Sequence, residues 1–211
     1  MSDTPASGSG TTEPADPGTA SSAPDNPPPF APFGVHERRH VYRSDWCNLR
    51  RDVVRLPDGA LQEYHVFEVD DAVCVLPVLA DGRIALCGQY RYPHGKTHWE
   101  APAGRIHRGE APRDAALREL REETGLRAGR LIELPGFYPT NGISAHYAHA
   151  FCALDCVRDG EPELDASEQI VVETFQRSEV DSLITAGRVE DAFTALTWFY
   201  ALRLVPELAT R

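Results

Sequence analysis

The stretch AGRIHRGEAPRDAALRELREETGL, residues 103–126, packs four glutamates, one aspartate and five arginines around a short apolar stripe. On a helix advancing about 100° per residue, Ala116, Leu117 and Leu120 share one arc and are expected to face the core. Glu119, Glu122 and Glu123 fill a second arc beside it, and Arg118 and Arg121 take the remaining side. A purely solvated acidic face would stand opposite the apolar one, but this one borders it. The three carboxylates are therefore expected at the edge of the packed surface, where solvent screens them less. Like charges at that spacing repel. Arg118 can pair with Glu122 one turn later and fix its rotamer. Three converging carboxylates make a hard, oxygen-rich site suited to Mg²⁺ or Mn²⁺. The plainer alternative is a surface helix with ordinary Glu/Arg pairs.

Working outward, Pro112 suits the first turn of this helix and Gly125 the position just past its end. Upstream, RRDVVRLPDGALQEYHVFEV reads as two strands around Pro57-Asp58-Gly59. AVCVLPVL (72–79) and RIALCGQY (83–90) form another pair across Asp81-Gly82, apolar enough to be central strands covered on both faces. Further strands are expected at 131–134, 147–153 and 170–175, then helices near 178–186 and 190–204, the first stopped by Gly187. Strands interrupted by a helix and followed by more of both predict an α/β fold, a mixed sheet with helices on its faces.

Residues 1 to 33, rich in Ser, Gly, Pro, Thr and Ala, are expected to form a disordered tail before one folded domain over 34–211. The formal charge of −11 argues against a nucleic-acid partner held by a broad basic surface. Phosphate-bearing small molecules stay open, because a bound divalent cation inverts the local sign. Five scattered cysteines without a Cys-x-x-Cys pair indicate neither a disulfide framework nor a zinc site. With no signal peptide and no apolar run long enough to span a bilayer, the expectation is a cytoplasmic protein with no membrane partner. His146 and His149 are expected on one strand, pointing to opposite faces, without metal. The segment ALTWFYALRLV (195–205) reads as core or dimer packing.

Gly104, Glu110, Arg118, Glu119, Leu120, Glu122, Glu123, Gly125 and Leu126 match, without a gap, the Nudix box: Gly, five residues, Glu, seven residues, Arg-Glu-U-x-Glu-Glu-x-Gly-U, with U aliphatic. The chain resembles Nudix hydrolases from about residue 45 to 205. The resemblance implies an α/β/α sandwich in which the box forms a loop–helix–loop binding divalent metal against a diphosphate. It implies Glu119 and Glu123 as metal ligands with Glu122 nearby, the Ala103 carbonyl as a further ligand, and Glu110 as a support for loop and helix. Arg118 joins the glutamates in the catalytic set.

GQYRYPHGKTHWEAPAG (88–104) resembles the corresponding stretch of ADP-ribose and nucleotide-sugar pyrophosphatases, in which residues matching Arg91 and Glu100 contact substrate or shape its pocket. Gly104 belongs to the same substrate wall. FYPTNGISAHYAHAF (137–151) resembles the loop with a family-typical proline, Pro139, and a Gly-x-Ser-acid turn. Gly142 and Ser144 match, but Ala145 stands where the acid is expected. The resemblance also implies a mobile glutamate in ELDASEQIVVETF, where Glu168 fits best as general base or extra metal ligand and Glu161 and Glu163 compete. Homologous enzymes are commonly homodimers, and Trp46 is a candidate for stacking on the nucleobase.

Two classes of function follow. One is Mg²⁺-dependent hydrolysis of ADP-ribose or another nucleoside diphosphate sugar; the other is a Nudix-fold sensor that binds such a ligand without cleaving it. A sensor tolerates loss of the box glutamates, and this chain keeps all of them. Among enzymes, the second choice is a hydrolase of nucleoside triphosphates or dinucleoside polyphosphates.

Overall fold

The computed structural model describes residues 30–209, so the expected tail lies outside the described residues except for 30–33, which are exposed and without regular structure. The first three strands, β1 (Gly34–Arg43), β2 (Asn48–Arg55) and β3 (Leu61–Glu68), form an antiparallel sheet of their own. The second sheet has eight strands. Its spine runs β11 (Ile170–Phe175), β5 (Ile84–Arg91), β4 (Ala72–Leu79), β10 (Ala148–Arg158) and β8 (Leu126–Arg127). β6 (Lys96–Glu100) pairs with β5, β7 (Ala103–Arg105) with β4, and β9 (Arg130–Phe137) with β10. β4 and β10 run parallel and the other pairs antiparallel, so the sheet is mixed, as expected.

β4 reads as an unbroken apolar run because both of its faces are covered. Cys74, Leu76 and Val78 face a core closed by α3 (Ala192–Leu204), through Trp198, Ala201 and Val205. Val73 and Val75 face a second core, closed by Ala115, Ala116 and Leu120 of α1 (Pro112–Thr124). Helices on both faces make an α/β/α sandwich. Two more helices, α2 (Arg177–Thr185) and the short α4 (Pro206–Ala209), complete the fold. Among the described residues no helix is long and apolar enough to cross a membrane.

α1 starts at Pro112 and ends where Gly125 turns left-handed (φ 67°), its N–H donating to the Arg121 carbonyl at 2.8 Å. A side chain at Gly125 would also meet the Gly160 carbonyl oxygen at 2.4 Å, so glycine is required twice over. Leu117 does not join the core: it is 38% exposed. The buried face is rotated toward the acids and comprises Ala115, Ala116, Glu119, Leu120, Glu123 and Thr124. His146 lies in the loop before β10, not on the strand with His149, because regular pairing begins at Ala148.

α3 is capped by Asp191, whose Oδ2 accepts from the Thr194 N–H at 2.8 Å and its hydroxyl at 2.7 Å. The same hydroxyl oxygen accepts from the Ala101 N–H at 2.8 Å, tying the β6–β7 turn to the helix. Asp191→Ala strips the cap and leaves the buried Thr194 hydroxyl with one partner fewer. It is expected to cost about 1–3 kcal/mol in urea unfolding; a loss below about 0.5 kcal/mol would show that the relay does not bear on stability.

Candidate active site

The box glutamates stand deeper than an edge position. Glu119 is 8% exposed and Glu123 only 3%; Glu122 alone reaches toward solvent. Between them lies one guanidinium. Arg118 Nη1 donates to Glu119 at 2.6 Å and to Glu122 at 3.0 Å, its Nε donates to Glu110 at 2.8 Å, and its Nη2 donates to Glu110 at 3.0 Å and to the Arg105 carbonyl at 2.9 Å. Glu110 also accepts from the His107 N–H at 2.9 Å. It thus ties the loop to the helix. The Arg118 bonds, together with that N–H, pull the Glu110 carboxyl down to about 2.

Glu123 has no ion pair among the described residues, though the charge of Arg91 reaches it weakly. Its Oε2 accepts from the Ala103 N–H at 3.0 Å, which brings the Ala103 backbone into the acidic group. Burial, followed by the charges of Glu119 and Glu168, pushes the Glu123 carboxyl up to about 8 despite that bond. Burial raises Glu119 as well, partly offset by Arg118. Two buried carboxylates on one helix face, with negative charge in excess, are a donor set of the kind a hard divalent cation could neutralise. Among the described residues no three His, Cys, Asp or Glu side chains stand as a ready-made cage, and Arg118 holds Glu119 and Glu122 to itself.

Gly104 leaves room for this arrangement: a Cβ there would sit 2.1 Å from Glu119 Oε1 and 2.4 Å from Oε2. Arg91 and Glu100 bind each other, Nη2 to Oε2 at 2.5 Å, with Glu100 buried. Both line a cavity of about 310 Å³ shared by Ala103, Gly104 and Arg105. The other walls are His94, His98, Glu190, Asp191 and Phe193. Sequence reasoning missed these. The Asp191-x-x-Thr194 capping pattern was the one signal available for any of them.

The 138–147 loop reaches the same region through Asp71, whose carboxylate accepts from the Tyr147 N–H at 2.8 Å and whose carbonyl accepts from the Ile106 N–H at 2.9 Å. Pro139 is half-buried at its start, and buried Ser144 accepts from the His146 N–H through Oγ at 3.1 Å. Ala145 is exposed. Of the loop glutamates, Glu161 pairs with Arg158 at 2.7 Å and Glu163 with Arg121 at 2.6 Å. Glu168 has no ion pair among the described residues; its Oε2 accepts from the Asp165 N–H, and its charge bears on both Glu119 and Glu123. Trp46 is 73% exposed, with the Arg105 guanidinium 4.6 Å above its ring.

A NUDIX domain model matches residues 68–196, most of the chain. The chain belongs to the Nudix family. A second model, the nucleoside diphosphate sugar hydrolase N-terminal domain, matches residues 35–67, the three-stranded sheet that precedes the Nudix sandwich. An ADP-ribose pyrophosphatase of Bacillus subtilis is 33% identical over 75% of this chain and 86% of its own. An ADP-ribose pyrophosphatase of Mycobacterium tuberculosis is 36% identical over 57% of this chain and 58% of its own. A crystal structure of an ADP compounds hydrolase superposes with a TM-score of 0.75 at 19% identity, over 83% of this chain and 95% of that one, and so shares the fold. The chain is a Nudix hydrolase, and Nudix hydrolases work with divalent cations.

Gly104→Ala pushes the Glu119 carboxylate away from Glu123 while leaving the core untouched. It is expected to cut turnover about 100-fold with little change in melting temperature, and near-normal turnover would show that the close approach is not needed. Glu110→Gln tests the Arg118 hub. The Glu110 pKa is lowered on folding, so its contribution is full above about pH 4.5 and fades as pH falls toward 2. The variant is expected to be about 2 kcal/mol less stable at neutral pH, with the difference narrowing below about pH 4.5. A gap independent of pH would assign the loss to packing.

Proposed function

We propose that this Nudix hydrolase splits the pyrophosphate bond of ADP-ribose or another nucleoside diphosphate sugar, giving a nucleoside monophosphate and a sugar phosphate. The observation that carries this reading is the join itself: a nucleoside diphosphate sugar hydrolase N-terminal sheet runs directly into a Nudix sandwich whose box keeps every glutamate. The relatives named ADP-ribose pyrophosphatase support it.

Glu119 and Glu123, with Glu122 and the Ala103 carbonyl, are the groups that would hold Mg²⁺ or Mn²⁺. The metal, when bound, neutralises phosphate charge and acidifies an attacking water. Glu168 would take the proton from that water or add a carboxylate to the metal set; that it has no ion pair among the described residues, unlike Glu161 and Glu163, supports the choice. Arg91, steered by Glu100, presents its guanidinium to the diphosphate. Gly104 keeps the wall thin, and Pro139 and Ser144 shape the loop beside it.

The assembly is a homodimer. One face of the first sheet exposes Tyr42, Leu61 and Phe67, an apolar patch that a second copy would cover. Trp46, on the β1–β2 turn, then stacks on the nucleobase. Five free cysteines, four of them buried, fit a reducing cytoplasm.

The test is product release from ADP-ribose, ADP-glucose, GDP-mannose, UDP-glucose, a diadenosine polyphosphate and nucleoside triphosphates, with Mg²⁺ and then Mn²⁺. Because Ala145 offers no carboxylate, the panel spans several sugars. A diphosphate sugar is expected to be the best substrate, with turnover abolished by chelation and reduced about 1,000-fold in Glu123→Gln. Tight binding of one member without turnover of any would move the assignment to a sensor. Preference for a triphosphate or dinucleoside polyphosphate would overturn the substrate class.

A further inference from the structure

The cavity beside the box has a wall that the proposed chemistry does not use. It is formed by His98 on β6 and by Glu190, Asp191 and Phe193 at the start of α3. We propose that this wall seats the sugar of the nucleoside diphosphate sugar, with His98, oriented by Glu190, accepting a hydrogen bond from a sugar hydroxyl. The inference rests on the function proposed above and adds to it the place of one half of the substrate.

His98 is 7% exposed, and its Nε2 has no hydrogen-bond partner in the protein. Its Nδ1 lies 3.3 Å from Glu190 Oε2. In the neutral ring a carboxylate there favours the proton on Nδ1, which leaves Nε2 as a lone-pair acceptor. A buried acceptor without a donor calls for a ligand group to satisfy it. The other acid at this wall is already engaged, since Asp191 Oδ2 accepts both bonds from Thr194. Glu190, half exposed at 49%, stands between His98 and Lys96, whose ammonium lies 3.8 Å from its Oε2.

The signs of charge decide which part of a nucleotide sugar enters. The diphosphate belongs with Arg91 and the cation site. Two carboxylates, Glu190 and Asp191, against one ammonium, Lys96 at 3.8 Å from Glu190, leave this wall net negative and disfavour it. The nucleobase fits poorly too: adenine brings a single amino group, whereas a furanose or pyranose brings several hydroxyl donors for His98 and Glu190. The ring of Phe193 offers an apolar face for the sugar's C–H side. Ala103 and Gly104 line both this cavity and the acidic group, so a sugar seated here stays joined to a diphosphate at the box.

The experiment titrates wild type, His98→Ala and Glu190→Ala with ribose 5-phosphate and, separately, with AMP, each with Mg²⁺ in a calorimeter. The dissociation constant for ribose 5-phosphate is expected to rise about tenfold in both variants, while that for AMP stays within about twofold. Glu190 is half exposed, so its variant tests the idea even where His98→Ala does not fold. Equal weakening of both ligands, weakening of AMP alone, no weakening of either, or no binding of ribose 5-phosphate to wild type would overturn the assignment. The two proposals separate cleanly. Selective loss of ribose 5-phosphate in a protein that cleaves no diphosphate sugar keeps the subsite and rejects the reaction. Cleavage with no selective loss does the reverse.

Discussion

One guanidinium organises the acidic half of this molecule. Arg118 bonds three carboxylates and a carbonyl, and through them it joins the helix to the loop that precedes it. Without it, Glu110, Glu119 and Glu122 would confront one another beside a packed core, and an unpaired charge in such a place costs several kcal/mol. Its own charge is held firmly on by the same partners. Because the fork is planar and rigid, it fixes where each carboxylate points as well as neutralising it. The geometry at Glu119 therefore precedes any cation.

That geometry is delivered to the sheet by contacts with no charge at all. Ala115 and Ala116 are small enough to bring α1 close to Val73 and Val75 of β4, and Leu120 fills the remaining space. β7 pairs with the same β4, setting Gly104 opposite Val73 and Ala103 opposite Cys74. The carboxylates of the helix and the backbone of the loop thus meet because both are registered on one strand. On the opposite face, Thr194 of α3 fixes Ala101, two residues before Ala103. Each side of the sandwich holds one end of the turn that carries the site.

How far the chain could be read in advance follows from the same physics. The central strands, the box helix and the two helices near 178–186 and 190–204 were legible because burial on one or two faces leaves a pattern in the sequence. The strand Gly34–Arg43 left none: all ten of its residues are exposed, so GVHERRHVYR carries no alternation to detect. Leu117 misled for a related reason. A wheel assumes that apolar residues define the buried arc, and here two glutamates occupy part of it in Leu117's place. The box residues were legible through spacing alone. His98, Glu190 and Phe193 were not, since they come from separate elements that meet only when α3 closes over β4.

The balance of charge explains why the glutamates are arranged in two tiers. Four box carboxylates face one arginine, so the group retains an excess of negative charge even with every Arg118 bond made. Glu110 and Glu122 lie where that arginine or solvent can serve them. Glu123 lies where neither does, and burial raises its affinity for a proton accordingly. A second permanent arginine beside Glu123 would remove the repulsion and, with it, the reason for a cation to bind there. On the proposed function, leaving that carboxylate short of positive charge keeps an affinity for an exchangeable cation, which could arrive and leave with an anionic substrate. The fixed cation builds the acidic group, and the deficit it leaves is what the proposed chemistry draws on.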